Sequence, residues 1–264
     1  AWELIKGLTR INNENQINDQ NYISSIITEK EECPVYVGSG IIESLGNYCN
    51  KNNLSSTAYL ISDSITGFQH SRKAQLSLEN SNIPTHTFTF PQGEASKSIN
   101  TISPIFEWLA QQKAERTHFV VALGGGVVGD ISGFIASTYN RGLPFVQVPT
   151  SLAAMVDASI GGKTAINLPQ GKNLVGAFHQ PRMILIDTNF LYTLPKRELN
   201  SGWAEAIKHG IIKNSDLFDD FEQNANLIQK LDPIPSTRVI KASVAIKVEV
   251  VNVDPYETLG IRTL

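Results

Sequence analysis

Three observations predict an α/β chain. Short apolar runs alternate with helix-like segments between residues 34 and 187, a triple glycine follows an apolar strand at 119–123, and helical periodicity dominates from Lys196 onward. The expected architecture is a Rossmann-like parallel sheet over residues 22–190, then the start of an α-helical domain over 191–264. Residues 1–21 are set apart as a leader without structure, because 11–21 (INNENQINDQN) are rich in amides and poor in large apolar side chains. From there PVYV at 34–37 reads as a strand before a helix at 41–49, and TAYLIS at 57–62 as a strand before a helix at 68–80. THTFTF at 85–90 precedes a helix at 98–113, and FVVAL at 119–123 runs into the glycines. Strands at 145–148 and 183–187 flank a polar stretch rich in glycine and lysine, read as a loop. Pro233 and Pro235 break one later helix from the next. No internal repeat is visible.

Composition narrows the function classes. With 22 basic and 25 acidic residues and a net charge of −3, the chain has no basic field for nucleic acid or an anionic membrane, so any anion must be held locally. No apolar run approaches the roughly 18 residues of a membrane span. A cytoplasmic protein is the expectation. Cys33 and Cys49 lack the spacing of a zinc or redox motif and read as reduced thiols without function. The chain begins without methionine and reads as a fragment.

The glycines carry the first chemistry. Gly124, Gly126 and Gly129 fit G-x-G-x-x-G, where backbone N–H groups approach a pyrophosphate and the following helix offers its positive end. The acid expected about 20 residues later to bind ribose is missing, since the next carboxylate after Asp130 is Asp157. An ordinary Rossmann site is therefore not predicted. The carboxyl ends of three strands bring Asp63, the Gly93–Lys97 turn and the triple glycine to one crevice.

Asp157-Ala-Ser-Ile-Gly161-Gly162-Lys163-Thr164 resembles the end of a Walker A loop, but Asp157 stands where that motif needs glycine. A nucleoside-triphosphate loop is not expected. Lysine beside glycine still makes a phosphate contact, and Gly171-Lys172-Asn173 repeats it nine residues on. Either lysine alone is an ordinary surface residue; together with Arg141 and Asp157 they predict a small phosphorylated ligand. Glu205 and Lys208, three apart on a helix, can face one site, and the apolar residues around them (Trp203, Ala204, Ala206, Ile207, Ile211, Ile212) leave little exposed face for charge. His209 reads as packing or surface, because none of the five histidines forms a metal framework.

With these residues in place, 119–262 resembles the 3-dehydroquinate synthase family of sugar-phosphate cyclases. The carrying motifs are GGGVVGD, TYNRG, QVPTSLAAMVDASIGGKTAINLP, GKNLVGAFHQP, TLPKRELNSGWAEAIKHG and KVEVVNVD. Weaker likeness through GEASKS and PVYVGSG extends it to residues 33–264.

That resemblance implies an NAD-binding domain followed by part of a metal- and substrate-binding domain. It implies a carbon–oxygen lyase of the shikimate pathway that acts on 3-deoxy-D-arabino-heptulosonate 7-phosphate with NAD and a divalent metal, zinc or cobalt. On the NAD side, Asp63, Glu94, Lys97, Gly125, Gly126, Asp130, Thr150 and Thr193 fall on matching positions, and Lys163 and Lys172 are expected to touch the cofactor as well. Lys163, Lys172 and Asn173 match contacts to the phosphate end, and Asp157, Lys208, Lys247 and Arg262 match groups around the hydroxyls and carboxylate. Glu205 matches a metal ligand. Arg141 matches an arginine given to the neighbouring subunit, which implies a homodimer. The family's two histidine ligands would follow Leu264, so the 264 residues are expected to hold metal weakly and turn over little or not at all. Ile65 stands where asparagine is frequent, and one extra residue separates Glu257 from Arg262. A sister cyclase, a metal-dependent polyol dehydrogenase and a non-catalytic NAD-binding or dimerising module are the alternatives.

Overall fold

Strand-forming runs that are apolar on both faces must be covered on both sides, and that requirement shapes the computed structural model, which describes residues 19–28 and 31–261. Its main sheet has seven strands in the order β1-β2-β9-β6-β5-β3-β4. They are β1 (Tyr22–Ile27), β2 (Glu32–Gly38), β3 (Ala58–Asp63), β4 (Thr85–Phe90), β5 (Phe119–Gly124), β6 (Phe145–Pro149) and β9 (Met183–Asp187). All pair in parallel except β1, which runs antiparallel to β2 at one edge. The sequence reading missed β1, and it placed the leader's end at 21. Of that leader, Asp19 pairs with Lys51 at 3.2 Å and Asn21 accepts from Val37 N at 2.8 Å; residues 1–18 lie outside the described residues.

Helices α1 (Leu45–Lys51), α2 (Ser64–Asn80), α3 (Ile99–Gln111) and α4 (Gly126–Thr138) link the parallel strands. The period of two divides each strand between two cores. Leu60, Val121 and Leu123 join one cluster with Leu78 of α2, while Tyr59, Ile61, Val120 and Ala122 join the other with Ile105 of α3 and Ile131 of α4. Helices α5 (Lys196–Lys213), α6 (Ser215–Gln229) and α7 (Pro233–Val253) follow, and Ala206, Phe221 and Val244 belong to the first cluster. Hydrophobic packing is thus continuous across residue 190. Pro233 and Pro235 sit in the first turns of α7, whose start Asp232 caps by accepting from Ile234 N at 3.1 Å. No described helix is long and apolar enough to cross a membrane.

The polar stretch read as a loop is ordered. A π-helix (Ala154–Ala158) leads to a hairpin of β7 (Lys163–Leu168) and β8 (Gly171–Phe178), paired antiparallel. Alternating small and polar residues there give a weak strand signal, and packing against α4 stabilises what local preference does not.

Candidate active site

At β3 the chain direction changes: β4 pairs on one side of β3 and β5 on the other. Such a switch point, outside the carboxyl ends of the strands, is where open α/β sheets bind ligands. Asp63 ends β3 and caps α2, its Oδ1 accepting from Ile65 N at 2.9 Å and Thr66 N at 2.8 Å. Gly125 is the N-cap of α4, and no side chain caps that helix. Its first N–H groups are left for an anion. A Cβ on Gly125 would stand 3.4 Å from Ser151 Oγ, and one on Gly126 3.6 Å from Ala158 Cβ, so glycine leaves open a space that a side chain would fill. The turn therefore fits a pyrophosphate. Thr150 N donates to Gly124 O at 3.0 Å and fixes the neighbouring strand end.

A buried lysine ties this edge to the hairpin. Lys97, 5% exposed, donates to the Asp130 carboxylate and to Asn173 Oδ1 at 2.5 Å. Burial pushes the Asp130 carboxyl above its ordinary range, while the Lys97 hydrogen bond and charge oppose that shift. Glu94 accepts from Asn167 Nδ2 at 2.8 Å.

Beside this network lies a cavity of about 630 Å³, walled by α4, the π-helix, the hairpin, α5 and α7. Three lysines from three elements enter it, Lys163 and Lys247 each on a carboxylate from another part of the wall and Lys208 on one a turn earlier in its own helix. Lys163 pairs with Glu257, Lys208 with Glu205 and Lys247 with Asp157, all at 2.5 Å. The π-helix aims Asp157 at α7 by widening the turn. Gly202 brings α5 close: a Cβ there would lie 2.4 Å from Leu152 Cβ. Gly161 and Gly162, with φ of +108° and +67°, turn the chain into β7. Lys163 thus opens a strand and not a helix, which removes the Walker A reading. A cavity lined by alternating ammonium and carboxylate groups can hold the phosphate and hydroxyls of a polyol phosphate.

Not every expected residue arrives. Lys172 projects from the hairpin with its side chain 74% exposed, 3.7 Å from Glu94, outside the cavity that Asn173 lines. Lys163 and Lys172 lie near opposite ends of the hairpin, so proximity in sequence does not bring them together. Arg141, exposed at φ +66°, does not line the cavity of its own chain. Arg262 lies outside the described residues. Thr193 ends a 3₁₀ segment, Thr188–Thr193, on which His70 of α2 closes at 2.9 Å. The sequence reading gave no role to Glu257 or His70; an acid just after a long helix was the available signal for the first. Its expectation of little exposed face on α5 is overturned: Ala204 is exposed, Ile211 is 68% and Ile212 44% exposed, because the described elements cover one side of that helix.

His209 is packing, 7% exposed with Nδ1 2.7 Å from Ser243 Oγ, and burial lowers its pKa. Its Nε2 stands 3.6 Å from Glu205. Among the described residues no three His, Cys, Asp or Glu side chains converge as metal ligands, so these residues alone do not fit a divalent ion. Both cysteines are free and buried.

Comparison with known proteins matches residues 87–201 to the 3-dehydroquinate synthase N-terminal family and 202–264 to its C-terminal family. This chain belongs to the 3-dehydroquinate synthase family. The 3-dehydroquinate synthase of Symbiobacterium thermophilum is 45% identical over 237 residues, 89% of this chain and 66% of that protein. The family chain described here therefore spans a little under two thirds of its relatives' length. Among solved structures, 2-epi-5-epi-valiolone synthase from Streptomyces hygroscopicus subsp. jinggangensis 5008, with NAD⁺ and Zn²⁺ bound, superposes with a TM-score of 0.79 at 28% identity, over 88% of this chain and 64% of that one. A 2-deoxy-scyllo-inosose synthase complexed with carbaglucose-6-phosphate, NAD⁺ and Co²⁺ gives the same score and identity over 89% and 64%. Both share the sheet and the helices that follow it.

Proposed function

We propose that this chain carries the NAD site and much of the substrate site of a 3-dehydroquinate synthase, which converts 3-deoxy-D-arabino-heptulosonate 7-phosphate to 3-dehydroquinate and phosphate. The observation that carries the reading is the single cavity in which Lys163, Lys208 and Lys247 meet Glu257, Glu205 and Asp157, directly beside an uncapped helix start with a glycine cradle. NAD⁺, when bound, supplies the acceptor for a hydride taken from a ring carbon and later returned, so the reaction is redox-neutral. The Gly125–Gly126 turn holds its pyrophosphate, with Asp63, Glu94, Thr150 and Thr193 along the crevice.

Lys163 and Asn173 bind the phosphate end, and the incoming dianion takes Lys163 from Glu257. Lys172 guards the outer rim from the hairpin and reaches the phosphate only if the hairpin bends. Lys208 and Lys247, with Arg262, hold hydroxyls and the substrate carboxylate, while Asp157 orients Lys247 and accepts from a hydroxyl. Lys97 and Asp130 join the two halves and keep Asn173 in place. Glu205 is the carboxylate assigned to zinc or cobalt; donors beyond the described residues complete that site. Arg141, exposed on a left-handed turn away from its own cavity, is assigned to the neighbouring subunit of a homodimer.

Calorimetric titration of heptulosonate 7-phosphate into the chain saturated with NAD⁺ tests this reading. Saturable binding that requires NAD⁺ supports it, and binding of glucose 6-phosphate in preference to the heptulosonate favours a sister cyclase of the kind solved with a glucose-phosphate analogue.

A further inference from the structure

Near its turn the β7–β8 hairpin pairs out of step. Ile166 faces Val175 and Leu168 faces Gly171, so Lys172, Asn173 and Leu174 together stand opposite the single residue Asn167. A bulge of this kind takes its residues out of the regular ladder and re-aims their side chains. Asn173 sits in the middle of it at φ +58°, the left-handed region that asparagine tolerates better than most side chains. Its backbone N–H donates to Asn167 Oδ1 at 2.9 Å. Asn167 is itself held at two further points: its N–H donates to Lys97 O and its Nδ2 to Glu94 Oε1, each at 2.8 Å.

The charged groups at the two ends fix which way both amides point. A carboxylate only accepts, so the nitrogen of Asn167 faces Glu94 and its oxygen takes the Asn173 N–H. An ammonium only donates, so Asn173 turns its oxygen to Lys97, and its Nδ2, with two N–H groups, is what it can offer the cavity that it lines. A donor-only group suits phosphate oxygens, which accept. Asn167 does not line that cavity; it borders a separate hollow of about 400 Å³ with Glu94, Ser98 and Leu168. We propose that Asn167 is a positioning residue for the phosphate end of the substrate. Lys97 holds the side chain of Asn173 and Asn167 holds its backbone, and the two contacts together aim Nδ2. The proposal rests on the reading of the cavity as a sugar-phosphate site.

Calorimetric titration of the NAD⁺-saturated 264-residue chain with heptulosonate 7-phosphate and with the unphosphorylated heptulosonate tests this, with the ratio of the two affinities as the readout. Asn167→Ala should weaken the phosphate ester about tenfold and leave the unphosphorylated sugar within about twofold. Asn167→Asp, whose carboxylate still accepts from the Asn173 N–H, should keep the phosphate preference. Asn173→Gly removes the donor and should show the loss seen in Asn167→Ala. Because Asn167 acts only through Asn173, adding Asn167→Ala to Asn173→Gly should cost nothing more. An unchanged ratio in Asn167→Ala, equal weakening of both sugars as a merely structural role requires, or a further loss in the double variant overturns the proposal. A loss in Asn167→Asp equal to that in Asn167→Ala also overturns it, because the effect would then lie in the bond to Glu94. A parent chain with no preference for the phosphate ester overturns the sugar-phosphate reading and the proposal with it.

Discussion

Lys163 is where the account is most exposed at the scale of single residues. It opens β7 with its side chain half exposed and pairs with Glu257. Lys163→Ala should weaken heptulosonate phosphate binding by roughly ten- to a hundredfold, the usual loss for a charged hydrogen bond, and leave NAD⁺ affinity within twofold. Calorimetry on both ligands checks it, and unchanged sugar-phosphate affinity would remove Lys163 from the site. His70 supplies a pH dependence. Burial lowers its pKa from the ordinary 6.5, Lys73 lowers it further and Asp187 opposes. The unfolded chain then binds the proton more readily than the folded one. The contribution of this histidine to stability is full above about pH 6.5 and is lost as pH falls through 6.5 toward the folded value. His70→Gln should flatten the change in urea midpoint between pH 7.5 and 5 relative to the parent; an unaltered slope would show that His70 is not the titrating group. Motifs in the sequence singled out Asp157, Lys163, Glu205 and Lys208, the family resemblance added Lys247, and the fold brings all five to the wall of one cavity. The motifs could not exclude Lys172, whose motif mimics that of Lys163, and they passed over Glu257, whose partner is nearly a hundred residues away.

At the scale of elements, two close approaches separate structural from functional glycines. Gly202 faces Leu152 so closely that Gly202→Val must push α5 off the Leu152–Ala153 turn that leads into the π-helix; a loss of about 1–3 kcal/mol in stability is expected from denaturant unfolding, as for other overpacked contacts. Gly125 has room, with Ser151 Oγ 3.4 Å from an added Cβ and φ of −74°. Gly125→Ala should therefore unfold at the parent's midpoint yet bind NAD⁺ at least tenfold more weakly, because the methyl stands where a phosphate approaches. Parental NAD⁺ affinity in that variant would argue that the turn is structural alone. The parallel strands were legible because they are apolar on both faces and β5 ends abruptly in glycine. The β7–β8 hairpin was not. Its lysines, glycines and asparagines resemble a loop, and the strands form because α4 and the cavity wall hold them. The π-helix left no signal either, since its sequence AMVDA is compatible with ordinary helix.

Across the whole molecule, one hydrophobic cluster carries the sheet into α5 and α7, so the cavity has its two walls in a fixed relation. The charges on those walls nearly cancel. A sugar-phosphate ligand must break ion pairs to enter, and the affinity of the site should consequently fall with ionic strength less than that of an open basic patch would. The fold class was legible from the order of strands and helices. Chemistry needed motifs, and the arrangement of those motifs around one cavity needed the fold. The most direct measurement joins this chain to the C-terminal third of the Symbiobacterium thermophilum relative and follows phosphate release and NADH absorbance together, with heptulosonate 7-phosphate, NAD⁺ and zinc. Phosphate released with no net NADH is the expected result. NADH that accumulates, or phosphate retained by a chimera that binds NAD⁺, would contradict a redox-neutral cyclase.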